Sequence, residues 1–258
     1  MSILMGLDPN VIEAVLWLGV SALVLLVLLV ARGREGVRSV ETRQLSAFRD
    51  LRRVVGESAE KGGAIHIALG GGGIAGEDAM VSLAGFQLLE ALAADLVSYH
   101  IPTIISVGDP TLLPLAQDVL RRAYEMRGLP DSYDPNQVRF VAPSPVAYAA
   151  GAAQFLESED VVASVIIGAF GAEVSLIMEA ASRHGISQVA AAAAPQAVGV
   201  LYPATEHLAI GEQLFAAGAQ TSGLRRYVTS LEVQDVLRLV LIAAIPVSAL
   251  VTYLRGSV

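Results

Sequence analysis

Residues 64–80 read AIHIALGGGGIAGEDAM. An apolar run, Ala64 to Leu69, enters four consecutive glycines, Gly70 to Gly73, and a helix-forming stretch follows from about Asp78. Strand, glycine turn and helix is the first unit of many α/β domains. The segment Gly71-Gly72-Gly73-Ile74-Ala75-Gly76 also satisfies G-x-G-x-x-G. That spacing suits a dinucleotide, because glycines let the backbone approach a pyrophosphate and a helix N-terminus offers free N–H groups. Here the fit is imperfect. Glu77 and Asp78 place carboxylates where an anion would sit, and the acid expected about twenty residues on is Asp109, further along the chain. The candidate ligand residues are Gly71, Gly73, Gly76 and Asp109. The departures favour a tight turn, or close approach of another subunit, over a cofactor site. No cofactor is named by the pattern, and no G-x-x-x-x-G-K-[ST] is present.

Working outward, the chain alternates strand and helix. Strands are expected at 64–69, 103–107, 138–141, 162–167 and 188–194, with helices near 78–99, 112–127, 145–157, 173–184 and 205–217. The strands are short, continuous apolar runs, as in a parallel sheet covered on both faces. The order predicts an α/β fold: a Rossmann-like, doubly wound, mainly parallel sheet of about five strands. Small residues also close the other strand ends, as in Val107-Gly-Asp-Pro-Thr111 and Gly168-Ala-Phe-Gly-Ala-Glu173. The run Ala190 to Ala194 permits either a cavity or close packing of helix on sheet.

Both ends read as membrane anchors. Hydrophobic residues make up 54% of the chain and mean hydropathy is +0.58, above an ordinary soluble domain. The stretch 11–31 carries one charge, Glu13, and spans a bilayer at about 1.5 Å per residue. The stretch 236–254 is a second span, with Arg238 in its first turn and Pro246 within it. Arg32, Arg34, Arg38 and Arg43 follow the first span, and no Lys or Arg precedes it. That order suits an uncleaved anchor, and the positive-inside rule puts the intervening domain in the cytoplasm with both termini outside. The expected layout is an extracytoplasmic N-terminus (1–10), a span (11–31), a basic amphipathic helix with its connector (32–62) and the Rossmann-like domain (63–221). A connector (222–235), a second span (236–254) and a tail (255–258) complete it. The basic helix near 41–55 can lie on anionic lipid or dock on its own domain.

Charge and composition remove several functions. The net charge is −8, and basic residues concentrate beside the spans, which argues against nucleic acid. Without cysteine there is no thiol catalysis, disulfide or thiolate-bound metal. Lys61 is the only lysine, and no serine stands in G-x-S-x-G. His66, His100, His184 and His207 are scattered without ligand spacing and read as core or surface histidines.

The stretch Ile105-Ser-Val-Gly-Asp-Pro-Thr-Leu-Leu-Pro-Leu-Ala-Gln-Asp-Val-Leu120 follows the glycine turn and lies between the two apolar ends. With those features it resembles an uncharacterised family of bacterial membrane-anchored α/β proteins. The resemblance implies no activity, so it assigns no functional residue.

The leading expectation is a non-catalytic subunit of a membrane-bound assembly, with the cytoplasmic domain as assembly module. Its partners would be the lipid bilayer and further copies or paralogous subunits. One alternative is a sensor or enzyme that binds a nucleotide or small anion at the glycine turn. The other is an accessory subunit of a transport or secretion complex. Fold alone does not decide among them.

Overall fold

The computed structural model describes residues 46–205, 207–211 and 213–215, all within one compact unit, Glu41–Leu224. The expected spans 11–31 and 236–254, and the connector 222–235, lie outside the described residues. The elements run α1 (Ser46–Lys61), β1 (Ala64–Gly70), α2 (Ala79–Ser98), β2 (Thr103–Val107), α3 (Leu112–Met126) and β3 (Val138–Phe140). Then come α4 (Pro145–Ser158), β4 (Val161–Ala169), α5 (Val174–Arg183), β5 (Ser187–Ala192), α6 (Pro195–Ala204) and β6 (Leu208–Ile210).

The sheet is six-stranded, in the order β3-β2-β1-β4-β5-β6, and every pairing is parallel. This is the Rossmann order, with its switch point between β1 and β4. Central β1 is buried at every position, which explains why its sequence lacks alternation. On one sheet face, Ile65, Ile67 and Leu69 pack with Leu88, Leu89, Leu92 and Leu120 of α2 and α3. On the other, Ala68 and Ile166 pack with Tyr148, Leu156, Ile177 and Leu201 of α4, α5 and α6. Pro145 and Pro195 open their helices, where a missing N–H costs nothing.

The sixth strand corrects the first part of the helix expected over 205–217, of which residues 213–215 are helical. Residues Leu208 to Ile210 pair with Ala190 to Ala192 instead. The edge of β5 offers a row of backbone groups that a strand satisfies, and this tertiary demand overrides a weak local preference. The alanine run resolves as close packing: Ala190, Ala191 and Ala192 are buried, as are Ala180, Ala181 and Ala197 on the covering helices.

Helix α1 docks on its own domain. Leu51, Val54 and Val55 enter the same core cluster as Ile65 and Val165, so its apolar stripe faces protein. Among the described residues one helix, α2, is long and apolar enough to cross a membrane. Its Leu88, Leu89, Leu92 and Leu96 are buried against the sheet.

Candidate functional site

In a Rossmann sheet the ligand crevice opens at the carboxyl ends of the strands flanking the switch point. Here those ends are β1 at Gly70 and β4 at Ala169, and they cross unusually close together. Gly70 adopts φ +81°, and a Cβ on it would lie 2.3 Å from the Ala169 carbonyl oxygen. Gly168 adopts φ +130°, and a Cβ there would lie 2.1 Å from the carbonyl oxygen of Leu69. The pairing register of the two strands shifts between Ala68 and Gly70, which lets both backbones turn at the same level.

Several backbone donors of the crevice are taken up by the chain itself. Gly71 N–H donates to the Ala169 carbonyl at 3.0 Å, and Gly108 N–H donates to the Gly70 carbonyl at 2.9 Å. Gly71 Cα would stand 2.9 Å from a Cβ on Gly108, so only glycine fits between the β1 and β2 turns. Gly70 N–H donates to the hydroxyl of Tyr148 at 3.2 Å. In the β4–α5 turn, Gly171 N–H donates to Glu173 Oε1 at 2.7 Å.

Of the residues expected to bind a ligand, the fold brings Gly71, Gly73 and Asp109 together. The Asp109 carboxyl carbon lies 2.9 Å from where a Cβ on Gly73 would be. That carboxylate accepts from Thr111 N–H at 2.8 Å and from the Thr111 hydroxyl, and Ile74 N–H reaches the same hydroxyl at 3.4 Å. Asp109 therefore braces the glycine loop against the start of α3. Gly76 is separate: it adopts φ +90° with no atom within 4 Å of a Cβ built on it, and α2 begins only at Ala79. The fingerprint requires its glycines to open the helix, and here the loop runs on past them. One buried group in this region is unsatisfied. Ser82 Oγ, in the first turn of α2, has no hydrogen-bond partner among the described residues, and a Cβ on Gly72 would come within 2.8 Å of it.

Beneath the turn lies a polar chain that sequence reading missed. His66, fully buried at the centre of β1, places Nε2 2.9 Å from Ser106 Oγ on β2 and Nδ1 3.4 Å from Ser164 Oγ on β4. Ser106 Oγ lies 3.0 Å from the Tyr148 hydroxyl, which also contacts the Ser106 carbonyl at 3.2 Å. One assignment satisfies the chain. Tyr148 donates to the Ser106 carbonyl and accepts from Ser106, Ser106 accepts from His66 Nε2–H, and Ser164 donates to Nδ1. His66 is then neutral. Burial, helped by the Arg139 charge, holds its pKa down to about 3. Burial likewise pushes Tyr148 up to about 12, against the opposing hydrogen bonds from Ser106 and Gly70. The sequence signal was there in retrospect: His66, Ser106 and Ser164 are polar positions inside otherwise largely apolar strands.

The arrangement is thus a turn locked by its own backbone, with carboxylates at the mouth. None of the β-to-α turns from β1, β2, β3 and β4, nor the first turns of the helices that follow, contains a Lys or Arg. Among the described residues, no group of three or more His, Asp or Glu side chains is placed to hold a metal ion.

The chain belongs to a family defined by a domain of unknown function, DUF6754, whose model matches residues 9–258. No curated protein and no solved structure matches it.

Proposed function

We propose that this protein is a non-catalytic subunit of a membrane-bound oligomer, with its Rossmann-like domain serving as assembly module. The observation that carries the reading is the closure of the switch-point crevice. The Gly71 and Gly108 amides bond to the chain's own carbonyls, and the Asp109 and Glu173 carboxylates take up loop N–H groups where a ligand's anion would bind. Amides already bonded to the chain are not free to hold a ligand, which supports an assembly role over a binding one. The anchors at 11–31 and 236–254, with their Arg-rich inner flanks, support a two-pass subunit with a cytoplasmic domain. Anchoring confines such domains to two dimensions and raises their effective concentration.

The test is the mass of the complex in native nanodiscs at micromolar protein. A mass of several subunits is expected. A single-copy mass, with the domain folded and no other subunit retained, would overturn the reading.

A second reading places a nucleotide or small anion at Gly71, Gly73 and Gly76 beside Asp109, and the unsatisfied Ser82 hydroxyl favours it. It is tested by thermal shift of the purified full chain with ADP, NAD and inorganic phosphate. A ligand at a hundredfold excess over its Kd raises stability by about 2.7 kcal/mol. That shift should vanish in Asp109→Ala if the site exists, and its absence in the unaltered protein removes this reading.

A further inference from the structure

In a Rossmann sheet the acid that holds ribose hydroxyls stands at the end of the second strand, beside the glycine turn. Asp109 is too far along the sequence for that spacing, yet the fold returns it to that place. Strand β2 ends at Val107, and the Asp109 carboxyl carbon lies 2.9 Å from where a Cβ on Gly73 would be. Thr111 anchors Oδ1 of this carboxylate, through its N–H at 2.8 Å and its hydroxyl. Oδ2 stands 2.9 Å from the same Gly73 position and accepts from no donor among the described residues. Ser82, 2% exposed, faces the preceding glycine: a Cβ on Gly72 would come within 2.8 Å of its hydroxyl, which has no partner either. The N–H groups of Gly72, Gly73 and Ala75 meet no acceptor among the described residues, and the Asp78 side chain does not cap α2.

We propose that this turn binds a phosphate-free ribonucleoside, with Asp109 Oδ2 on the ribose hydroxyls and the Ser82 hydroxyl and loop amides on the ligand's acceptor atoms. The site is that of the second reading above, on which the proposal rests, with the ligand's chemistry changed. Charge turns phosphate away. Glu77, Asp78 and Asp109 border the loop, and neither it nor the turn after β2 holds a Lys or Arg. The amide of the first fingerprint glycine, Gly71, is already bonded to the Ala169 carbonyl. An uncharged ligand meets neither obstacle. It must bring a hydroxyl for the free carboxylate oxygen, and acceptors for the Ser82 hydroxyl and the loop N–H groups. A ribose brings both in its diol and ring oxygen. Ile74, whose N–H reaches the Thr111 hydroxyl, is 47% exposed and gives the base an apolar neighbour.

The experiment is calorimetric titration of the full chain in nanodiscs with adenosine, guanosine, cytidine and uridine, and with ADP, NAD, inorganic phosphate and free ribose alongside. At least one nucleoside should bind about tenfold or more tightly than any of the last four. The 2′-deoxy form of that nucleoside should bind about tenfold or more weakly, because the carboxylate loses a charge-assisted partner. Ser82→Ala should weaken binding while the melting temperature stays level or rises, since it removes a hydroxyl that the fold leaves unpaired. Equal affinity for the deoxynucleoside, undiminished binding by Ser82→Ala, or ribose binding as tightly as the nucleosides would overturn the proposal. ADP, NAD or phosphate binding more tightly than every nucleoside would overturn it too, and leave the second reading standing. No binding by any of the eight removes both.

Discussion

His66 Nε2 and Ser106 Oγ lie 2.9 Å apart on adjacent buried strands, and that bond joins the centre of the sheet to the glycine turn through Tyr148. Four elements meet in this one polar chain: β4 through Ser164, β1 through His66, β2 through Ser106 and α4 through Tyr148. A buried network with its partners in place fixes strand register, because slipping one strand would strand several polar groups at once.

The first prediction concerns acid. His66 is held neutral, with a folded pKa near 3 against an ordinary value of 6.5. The unfolded chain therefore binds a proton that the folded one refuses, and stability falls as pH drops below 6.5 until about 3. Between pH 7.5 and pH 5 this one group should remove about 2 kcal/mol. Hydrogen exchange of the β1 amides measures it. In His66→Gln that pH dependence should flatten. An equal slope in both proteins would mean that His66 titrates normally.

Gly168→Ala and Gly76→Ala should part company. Both glycines have positive φ, but a Cβ at 168 meets the Leu69 carbonyl oxygen while one at 76 meets open space. Gly76→Ala should cost about 1–2 kcal/mol for the backbone conformation alone. Gly168→Ala should cost clearly more, because β1 and β4 must separate at the centre of the sheet. Melting temperatures of the two variants decide it, and equal losses would contradict the close crossing.

Tyr148→Phe keeps the ring and removes the hydroxyl that receives the Gly70 N–H and contacts Ser106. Leaving those buried groups unsatisfied should cost about 1–3 kcal/mol with the fold retained. Exchange of the Gly70 amide should rise more than that of the distant β5 amides. Uniform exchange across the sheet would show that the hydroxyl has no local role.

The topology is tested by fusion. A reporter active only outside the cytoplasm should work at the C-terminus and fail when placed at Asp131, which is exposed in the turn Pro130–Ser132. Activity from the Asp131 fusion alone would reverse the orientation drawn from the arginine flanks.

Much of the fold could be read from residue order. Short apolar runs ending in small residues, with helical stretches between them, determined a parallel α/β sheet, since only strands buried on both faces lack alternation. The helix start at Pro145 was equally legible, because proline at a first helical position is a local rule, whereas the helix Pro195–Ala204 was not expected. Strand β6 was not: Leu208 to Ile210 forms a strand because β5 presents an unpaired edge there, and no local propensity records that.

The candidate site divides along the same line. The sequence by itself determined that a glycine turn follows β1 and that carboxylates lie near it. It could not say whether the turn is open, because that depends on which carbonyl each amide meets. Tertiary structure supplies those partners: β1 and β4 pair closely enough for Gly71 N–H to reach the Ala169 carbonyl, and Gly108 presses on Gly71. The His66–Ser106–Tyr148 chain has the same origin. Its members are 40 and 42 residues apart in sequence, and only the parallel register and the packing of α4 bring their polar atoms within bonding distance.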